Sequence, residues 1–468
     1  MNPTIQNSGA AIVRMRSPVN GVWVVYLFAL AIALLVSFAS YPGFMSFDSV
    51  EALRQAREGV EGSQYPPFGS YVWRVLDWIW PGPTLMQLFQ NGMLLMAFAC
   101  VLNGIGWPWL IRLAILVAFS LTPPITGTML VVWKDVAVAA FYMLSFALIF
   151  AASRCELNLA TKCLLAAAVL SLFCGMAYRF NAASGAFALL VYVFLVLHKG
   201  QGRNVFFLRS FVFGVLSLFF LFLMVWVVNS FKFPEFVRLE KNTNMMSIMR
   251  HDLVGISVYS GKSFLIDKSG GPVDTAYLEK IYDARHLNIT SANDSEGRIS
   301  ADVSALPRQW MAAIENKPMA YLRHRAAVFS EYVGFHRHEV FYVTHPNVDA
   351  NKFGITQSPN FMTALAVNYV VSFSRSFLDR AWIYYLVGIV ALVFAFARRS
   401  LRYRTEATVI LASALLYLAP MYFITPAGDL RYNFWSICGA LASILFVVAG
   451  YVDRFRQDRC DAFTAAPV

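Results

Sequence analysis

The sequence predicts an all-α polytopic membrane protein with about ten transmembrane helices and one inserted extracytoplasmic domain of α or α+β type. The first observation behind this prediction is composition. The chain is 58% hydrophobic and 14% charged, against roughly 45–50% and 25% in soluble domains. The second is the recurrence of apolar runs of about 17–25 residues, the length that spans hydrocarbon. The third is a single long polar stretch before the last three apolar runs.

The apolar runs predict the individual spans. They cover residues 22–40, 85–103, 110–126, 136–152, 163–178, 185–197, 205–229, 381–397, 407–424 and 434–452. The first run lacks an Ala-x-Ala-like cleavage site and is too long for a signal peptide, so we expect a retained helix.

The distribution of lysine and arginine predicts the orientation. Basic residues fall on alternate loops, which places those loops and both termini in the cytoplasm if there are ten helices. These residues are Arg14, Arg16, Arg154, Lys162, Lys199, Arg203, Arg209, Arg398, Arg399, Arg402, Arg404, Arg454, Arg456 and Arg459.

The spans divide the chain into three parts. We predict an N-terminal transmembrane domain at 1–229, with juxtamembrane helices within 41–84, an extracytoplasmic domain at 230–380, and C-terminal helices with a cytoplasmic tail at 381–468. The inserted domain is too polar to lie in the membrane. Within it we expect two helices separated by a break before Pro318.

Charge and cysteine content argue against a nucleic-acid-binding protein and against a disulfide-stabilised domain. The net charge is +11, but residues 232–380 carry 17 basic and 15 acidic side chains, so the excess lies in the short loops and tails of the membrane part. This is the positive-inside pattern and gives no sign of a nucleic-acid partner. None of the six cysteines falls in the inserted domain, so no disulfide framework is predicted.

Four segments predicted on the outer side carry polar groups directly beside apolar spans. These groups are Asp48 and Glu51; Lys134 and Asp135; Arg179 and Asn181; and Asp429, Arg431 and Tyr432. Ionisable residues at this depth are costly and usually face a cavity or one another. Cations are scarce on the outer side of membrane proteins, so three of them beside short loops indicate an anionic ligand such as a phosphate.

Each group also has a structural alternative, which the sequence leaves open. Asp48 and Glu51 have the spacing of a capping box at a helix start. Lys134 with Asp135 fits an interfacial pair that ends a hairpin. The two arginines would suit anchors for helix ends against lipid phosphate.

Histidines in the inserted domain raise the question of a metal site. His336, His338 and His345 alternate on what could be a strand, where they could bind Zn²⁺ with a further ligand. No cysteine or carboxylate completes an obvious set, so no metal site is predicted.

An amphipathic helix is expected over 68–80, after the stiff Pro66-Pro67 pair. Its tryptophans suit the headgroup layer of a bilayer. It is either a purely interfacial helix or one side of a lateral access route for a lipid substrate.

The ordered set "YPGFMSFDSVEALRQA" (41–56), the Pro-Pro pair, and "WKDV" (133–136) resembles the GT-C superfamily. These are integral-membrane glycosyltransferases that use sugars carried on polyprenyl phosphates. The protein O-mannosyltransferases and the lipid A aminoarabinose transferases are more distantly similar. The resemblance covers residues 41–181, with a weaker match at "DLRYNFW" (429–435). Relatives often have His before the Pro pair, where this chain has Tyr65.

The resemblance implies a GT-C-like fold and a role for each matched residue. Asp48 would be the general base at the acceptor, and Lys134 would lie near the donor phosphate, helped by Arg179 or Arg431. Further candidate substrate contacts are Glu51, Tyr65, Asp135, Asn181, Asp429 and Tyr432. No cofactor is required, although binding of Mg²⁺ or Mn²⁺ by Asp48, Glu51 and Asp135 stays an alternative.

The resulting expectation is a multi-pass hexosyl- or pentosyltransferase of the bacterial inner membrane with a periplasmic active site. Its donor would be a polyprenyl-phosphate-linked sugar, and its acceptor a cell-surface glycan, a lipid or a protein. If Asp48 attacks no carbon itself, the transfer is a single displacement that inverts the anomeric centre, whereas a covalent route would need a second, nucleophilic carboxylate. Two alternatives remain: a lipid-linked sugar flippase or exporter, and a polysaccharide ligase or polymerase.

Overall fold

The computed structural model describes residues 21–61, 66–179, 181–199, 206–230, 237–238, 243–299, 305–336, 338–398 and 401–464. In chain order the helices are α1 (Val22–Ala39), α2 (Phe47–Glu58), α3 (Pro67–Ile79), α4 (Thr84–Ile105), α5 (Trp109–Ser120), α6 (Pro123–Met129), α7 (Lys134–Ser153), α8 (Leu159–Tyr178), α9 (Ala183–Leu197), α10 (Phe206–Ser230), α11 (Thr243–Ser260), α12 (Thr275–Ile281), α13 (Leu287–Asn293), α14 (Leu306–Asn316), α15 (Pro318–Val333), α16 (Phe361–Ser372), α17 (Ala381–Ala397), α18 (Arg404–Leu418), α19 (Met421–Ile424) and α20 (Phe434–Thr464). Two strands of two residues each, β1 (Val60–Glu61) and β2 (Val237–Arg238), pair in parallel.

The described helices confirm a polytopic helical membrane protein. Seven spans of the described part are long and apolar enough to cross a membrane: α1, α4, α7, α8, α10, α18 continued by α19, and α20. Counting α5 with α6 as one bent span gives up to eight. The other two spans expected from the sequence, α9 and α17, are apolar helices of 15 and 17 residues.

The span expected over 110–126 is broken rather than continuous. α5 and α6 meet at an angle of 71°. Thr122 has an extended ψ of 122° before Pro123, because a residue that precedes proline is pushed away from helical geometry. All seven residues of α6 are buried. The chain therefore turns back into the protein before it reaches α7.

α9 is short because it begins inside the bundle. The hydroxyl of Tyr142, in the third turn of α7, donates to the carbonyl of Ala182 at 2.7 Å, just before α9 starts. After α9 the chain reaches the far end of α7, where the Lys199 ammonium donates to the Ser153 carbonyl. α9 therefore ends level with a full-length span although it has only 15 residues.

The segments predicted to lie on the outer side gather at one end of the bundle. The amide of Val132 donates to Phe44 O at 2.9 Å, and the amide of Met45 donates to Asn347 O at 2.9 Å. From the inserted segment, the amide of Leu287 donates to Pro426 O at 3.2 Å. Loops that are far apart in sequence thus form one polar surface above the helices.

The inserted segment contains a small hydrophobic core of its own, formed mainly by α11, α12, α14 and α15. α14 and α15 confirm the expected helix pair broken before Pro318. At the centre of this core, Asp252 accepts from Trp310 Nε1 and from Arg325 Nη2, both at 2.7 Å. Arg325 also donates to Thr425 O at 3.0 Å, which fastens the inserted domain to the loop before α20.

Candidate functional site

Asp48 is positioned by the first turn of α2. The helix begins at Phe47 with Ser46 as its N-cap, so Asp48 is not the capping residue. Its Oδ2 instead lies 2.7 Å from Arg431 Nη2. Glu51 does not reach back to the helix start, since both of its oxygens accept from the Arg54 guanidinium at 2.6 and 2.7 Å. The capping-box alternative is therefore wrong for both residues.

Arg431 lies in a 3-10 turn, Leu430–Asn433, directly before α20. Besides Asp48, its guanidinium contacts Asp429 Oδ2 at 3.1 Å through both Nε and Nη2. The guanidinium also faces two aromatic rings, those of Trp133 and Tyr432, each 4.9 Å from its carbon. This combination of carboxylates and ring faces holds the cation in one orientation.

Arg179 follows α8 and is held in a similar way. It forms a salt bridge with Asp135 in the first turn of α7. Its Nε donates to Asn181 Oδ1 at 2.8 Å, and its guanidinium lies 4.5 Å from the centre of the Tyr432 ring. Tyr432 is thus placed between the two arginines.

The three predicted cations meet at one cavity of about 600 Å³. Lys134, at the start of α7, lies within electrostatic range of Asp48, Arg179 and Arg431. Six of the residues selected from sequence line this cavity: Asp48, Lys134, Arg179, Asn181, Arg431 and Tyr432. They come from the four outer segments predicted to carry the site.

Among the described residues, the remaining candidates do not line this cavity. Asp135 and Asp429 are each only 2% exposed and lie behind the arginines that they pair with. Glu51 is engaged with Arg54. Tyr65 falls outside the described residues.

Sequence reasoning missed the contribution of the inserted domain to this cavity. The lining residues from this domain are Met245, Ser247, Ile248, His286, Leu287 and Asn288. His286 is placed by an antiparallel bridge to Ala427, and its Nδ1 accepts the Asn288 amide at 2.8 Å. The neutral ring therefore carries its hydrogen on Nε2, and burial lowers the pKa of His286. No local pattern marks this histidine, because only the fold brings it beside Arg431.

The site has as many carboxylates as cations, but most of these carboxylates do not line the cavity. Three carboxylates, Asp48, Asp135 and Asp429, accompany the three cations. Buried charges of one sign would be too costly without such partners. Of these three carboxylates only Asp48 lines the cavity, so the charged groups that line it are mainly cations. The arrangement suits an anion that bears several acceptor oxygens.

A second cavity of about 40 Å³ adjoins the first and shares Asp48, Pro66, Lys134 and Arg431 with it. Its other lining residues are mostly apolar and come largely from α3 and α4, including Trp73 and Met86. α3 spans Pro67–Ile79, which confirms the amphipathic helix expected there. Trp73 is buried, whereas Trp78 is 86% exposed on the opposite face. The polar site therefore continues into an apolar recess beside a surface helix.

The alternative of a divalent cation bound by the acidic candidates stays a prediction. Their carboxylates are divided among different cations: Asp48 pairs with Arg431, Glu51 with Arg54, and Asp135 with Arg179. In the described part of the chain they are not among the groups that could share one ion.

Comparison of the chain with protein-family models, with curated proteins and with solved structures found no significant match. The resemblance to the GT-C superfamily therefore stays a prediction from the motifs. A functional assignment depends on the geometry of the cavity.

Proposed function

We propose that this protein is a membrane glycosyltransferase that moves a sugar from a polyprenyl-phosphate carrier to an extracytoplasmic acceptor. The observation that carries the proposal is the cavity at one end of the helix bundle. Lys134, Arg179 and Arg431 line it together with Asp48, the one carboxylate among its described lining residues. One phosphate group and one hydroxyl group are the partners that such a set suits best.

The donor would bind with its phosphate against the cations, and its lipid chain would leave the site past the apolar recess, which at about 40 Å³ is too small to hold the chain. The recess adjoins the cations directly, since Lys134 and Arg431 line both cavities. A polyprenyl chain is apolar and gains free energy when its surface leaves water. α3 would then border the route by which the chain leaves the site toward the bilayer.

The chemistry assigned to the site is a single displacement. The acceptor oxygen forms a bond to the anomeric carbon, and the bond between that carbon and the phosphate oxygen breaks. The acceptor proton goes to the Asp48 carboxylate, and the leaving phosphate keeps the electron pair of the broken bond. Cations beside the phosphate stabilise the negative charge that develops there.

Because Asp48 is paired with Arg431, we expect the donor to bind before Asp48 acts as a base. Before the donor binds, Arg431 holds the Asp48 carboxylate at 2.7 Å, which lowers its capacity to accept a proton. A bound phosphate would compete for the same guanidinium and release Asp48 to the acceptor hydroxyl. The base would therefore act only when the donor is in place.

The test combines glycan analysis with one substitution. Cell-surface glycans and lipids are compared by mass spectrometry with and without the gene, and then with the gene carrying Asp48→Asn. We expect a mass difference of one sugar that disappears in Asp48→Asn, because loss of a general base costs about 10²–10⁴ in rate. Arg431 keeps Asp429 as a partner, so the variant should still fold.

Asp453→Asn is the matched control. Asp453 also pairs with an arginine, Arg402, at 2.9 Å, but it is on α20 near the other end of the bundle. It should leave the glycan unchanged. Full activity of Asp48→Asn would refute the base assignment. Transfer of a whole glycan would indicate a ligase or polymerase, and movement of the lipid without covalent change would indicate a flippase.

A further inference from the structure

A second cluster of ligating side chains lies outside the cavity, after the end of α15. Glu331 Oε1 is 3.2 Å from His338 Nε2, and Glu331 Oε2 is 3.3 Å from His336 Nε2. The two imidazole rings stack at 3.7 Å between centroids. One oxygen of Glu331 and one nitrogen from each histidine all lie within 4.8 Å of one another.

The composition of this cluster differs from the sequence expectation. The sequence pattern groups His336, His338 and His345 as alternating residues of a strand and assigns no carboxylate to them. The described residues of this segment form no strand, and His345 pairs with Asp349 at 3.0 Å instead. The left-handed turn at Gly334, with φ of 75°, ends α15. The chain after this turn places the two remaining histidines beside Glu331 of the last helical turn.

The outer ring nitrogens favour a metal-binding tautomer. His336 Nδ1 lies 3.1 Å from His338 O, and His338 Nδ1 lies 3.1 Å from Glu339 O. A carbonyl oxygen can only accept, so these two contacts favour the tautomer in which the neutral ring carries its hydrogen on Nδ1 and directs the Nε2 lone pair toward Glu331. Metal-ligating histidines almost always donate their other ring N–H to a carbonyl or carboxylate in this way.

In that tautomer an Nε2 lone pair faces a carboxylate oxygen, which is repulsive unless a cation lies between them, whereas the other tautomer of His338 donates its Nε2 hydrogen to Glu331 Oε1 at 3.2 Å. In the described part of the chain, Glu331 Oε2 and His336 Nε2 are buried without a hydrogen-bond partner. Arg380 approaches His336 from the Nδ1 side, with Nη1 at 3.1 Å, and its Nη2 donates to His338 O at 2.7 Å. This arginine favours the opposite tautomer of His336, so it opposes the metal-binding form while it fixes the loop.

We propose that Glu331, His336 and His338 bind one divalent transition-metal ion of the zinc type. Two imidazole nitrogens and one carboxylate form a ligand set that zinc commonly takes, with a fourth position for water. His338 is half exposed, which leaves that position open to solvent. This proposal is independent of the proposed glycosyl transfer.

The ion would brace the loop that carries Arg431. Gly428 packs so closely on α15 that an added Cβ would lie 2.8 Å from the Cβ of Glu331. Fixing Glu331 through the metal therefore fixes the backbone on which this loop rests.

The test uses the full chain purified in detergent through a tag without histidine, stripped with a chelator and dialysed against Zn²⁺. Elemental mass spectrometry should find one zinc ion per chain. His338→Gln should reduce bound zinc to background without unfolding, because the side chain is half exposed. His345→Gln is the matched control and should keep one ion per chain.

Two further measurements separate a built site from incidental binding. Co²⁺ in place of Zn²⁺ should give the intense visible absorption of a four-coordinate ion in the wild type and in His345→Gln only. Zn²⁺ should raise the thermal midpoint of the same two proteins and not that of His338→Gln. Background zinc in the wild type, or one ion per chain in His338→Gln, would overturn the proposal.

Discussion

The contacts of Arg431 allow its structural contribution and its proposed catalytic contribution to be separated by a double-mutant cycle. Arg431→Gln removes the cation that faces Asp429, whose carboxylate is 2% exposed. Asp429 Oδ2 accepts both contacts from this guanidinium, and Oδ1 has no hydrogen-bond partner among the described residues. The substitution therefore leaves a buried carboxylate without its counter-charge.

The size of the effect follows from the burial of this pair. Loss of one partner of a buried ion pair costs about 3–5 kcal/mol in the free energy of unfolding. Asp429→Asn in the same chain removes the stranded charge, so the double variant should recover about 2–3 kcal/mol of that loss. Transfer should not recover, because loss of one group that stabilises the developing charge costs about 10²–10³ in rate.

Unfolding in detergent micelles measures the first quantity, and sugar transfer in the same micelles measures the second. Additive effects on stability would show that the two residues are not coupled. Recovery of transfer in the double variant would show that Arg431 acts only as the partner of Asp429. Either result would contradict the role assigned to Arg431.

Two further predictions concern packing and pH. Gly127→Ala places a methyl group against the carbonyl of Val343 and should lower the free energy of unfolding by about 1–3 kcal/mol. Gly92 has open space around it, so Gly92→Ala should be neutral or slightly stabilising. Thermal unfolding measures both variants. Burial lowers the pKa of His251 to about 3 although its Nε2 lies 2.9 Å from Asp283 O. Below about pH 6.5 the unfolded chain therefore binds a proton that the folded chain does not, and stability should fall by about 1.4 kcal/mol per pH unit from this group. His251→Gln should remove that part of the slope between about pH 6.5 and 4.5, and an unchanged slope would contradict this assignment.

The site shows what local sequence patterns can predict and what they cannot. Asp48 and Arg431 both stand out in the sequence because charged residues beside apolar spans are costly and usually have a polar function. Their pairing was not predicted, since 383 positions separate them and only the packing of α2 against the loop before α20 brings them together. The capping-box spacing at Asp48 was misleading because α2 begins before this residue, at Phe47 with Ser46 as its N-cap, so that Asp48 lies within the first turn.

The fold shows the same contrast between what local sequence patterns predict and what tertiary packing decides. Hydropathy located the apolar helices because a span must satisfy its backbone polar groups internally and cover them with apolar side chains. It did not predict the 71° break between α5 and α6. Pro123 and Pro124 indicate that a helix bends or ends at this point, but proline does not determine the angle.

Sequence by itself determined that this chain is a membrane protein, where its apolar helices lie, and which polar residues stand beside them. These properties depend on composition and on short-range periodicity, which the chain carries at every point along its length. Tertiary structure alone decided which of these residues share a cavity, why Asp135 and Asp429 lie behind it, and how Glu331 comes to face His336 and His338. Those relations depend on distances between segments far apart in sequence, or across a turn, and such distances are set only when the helices pack.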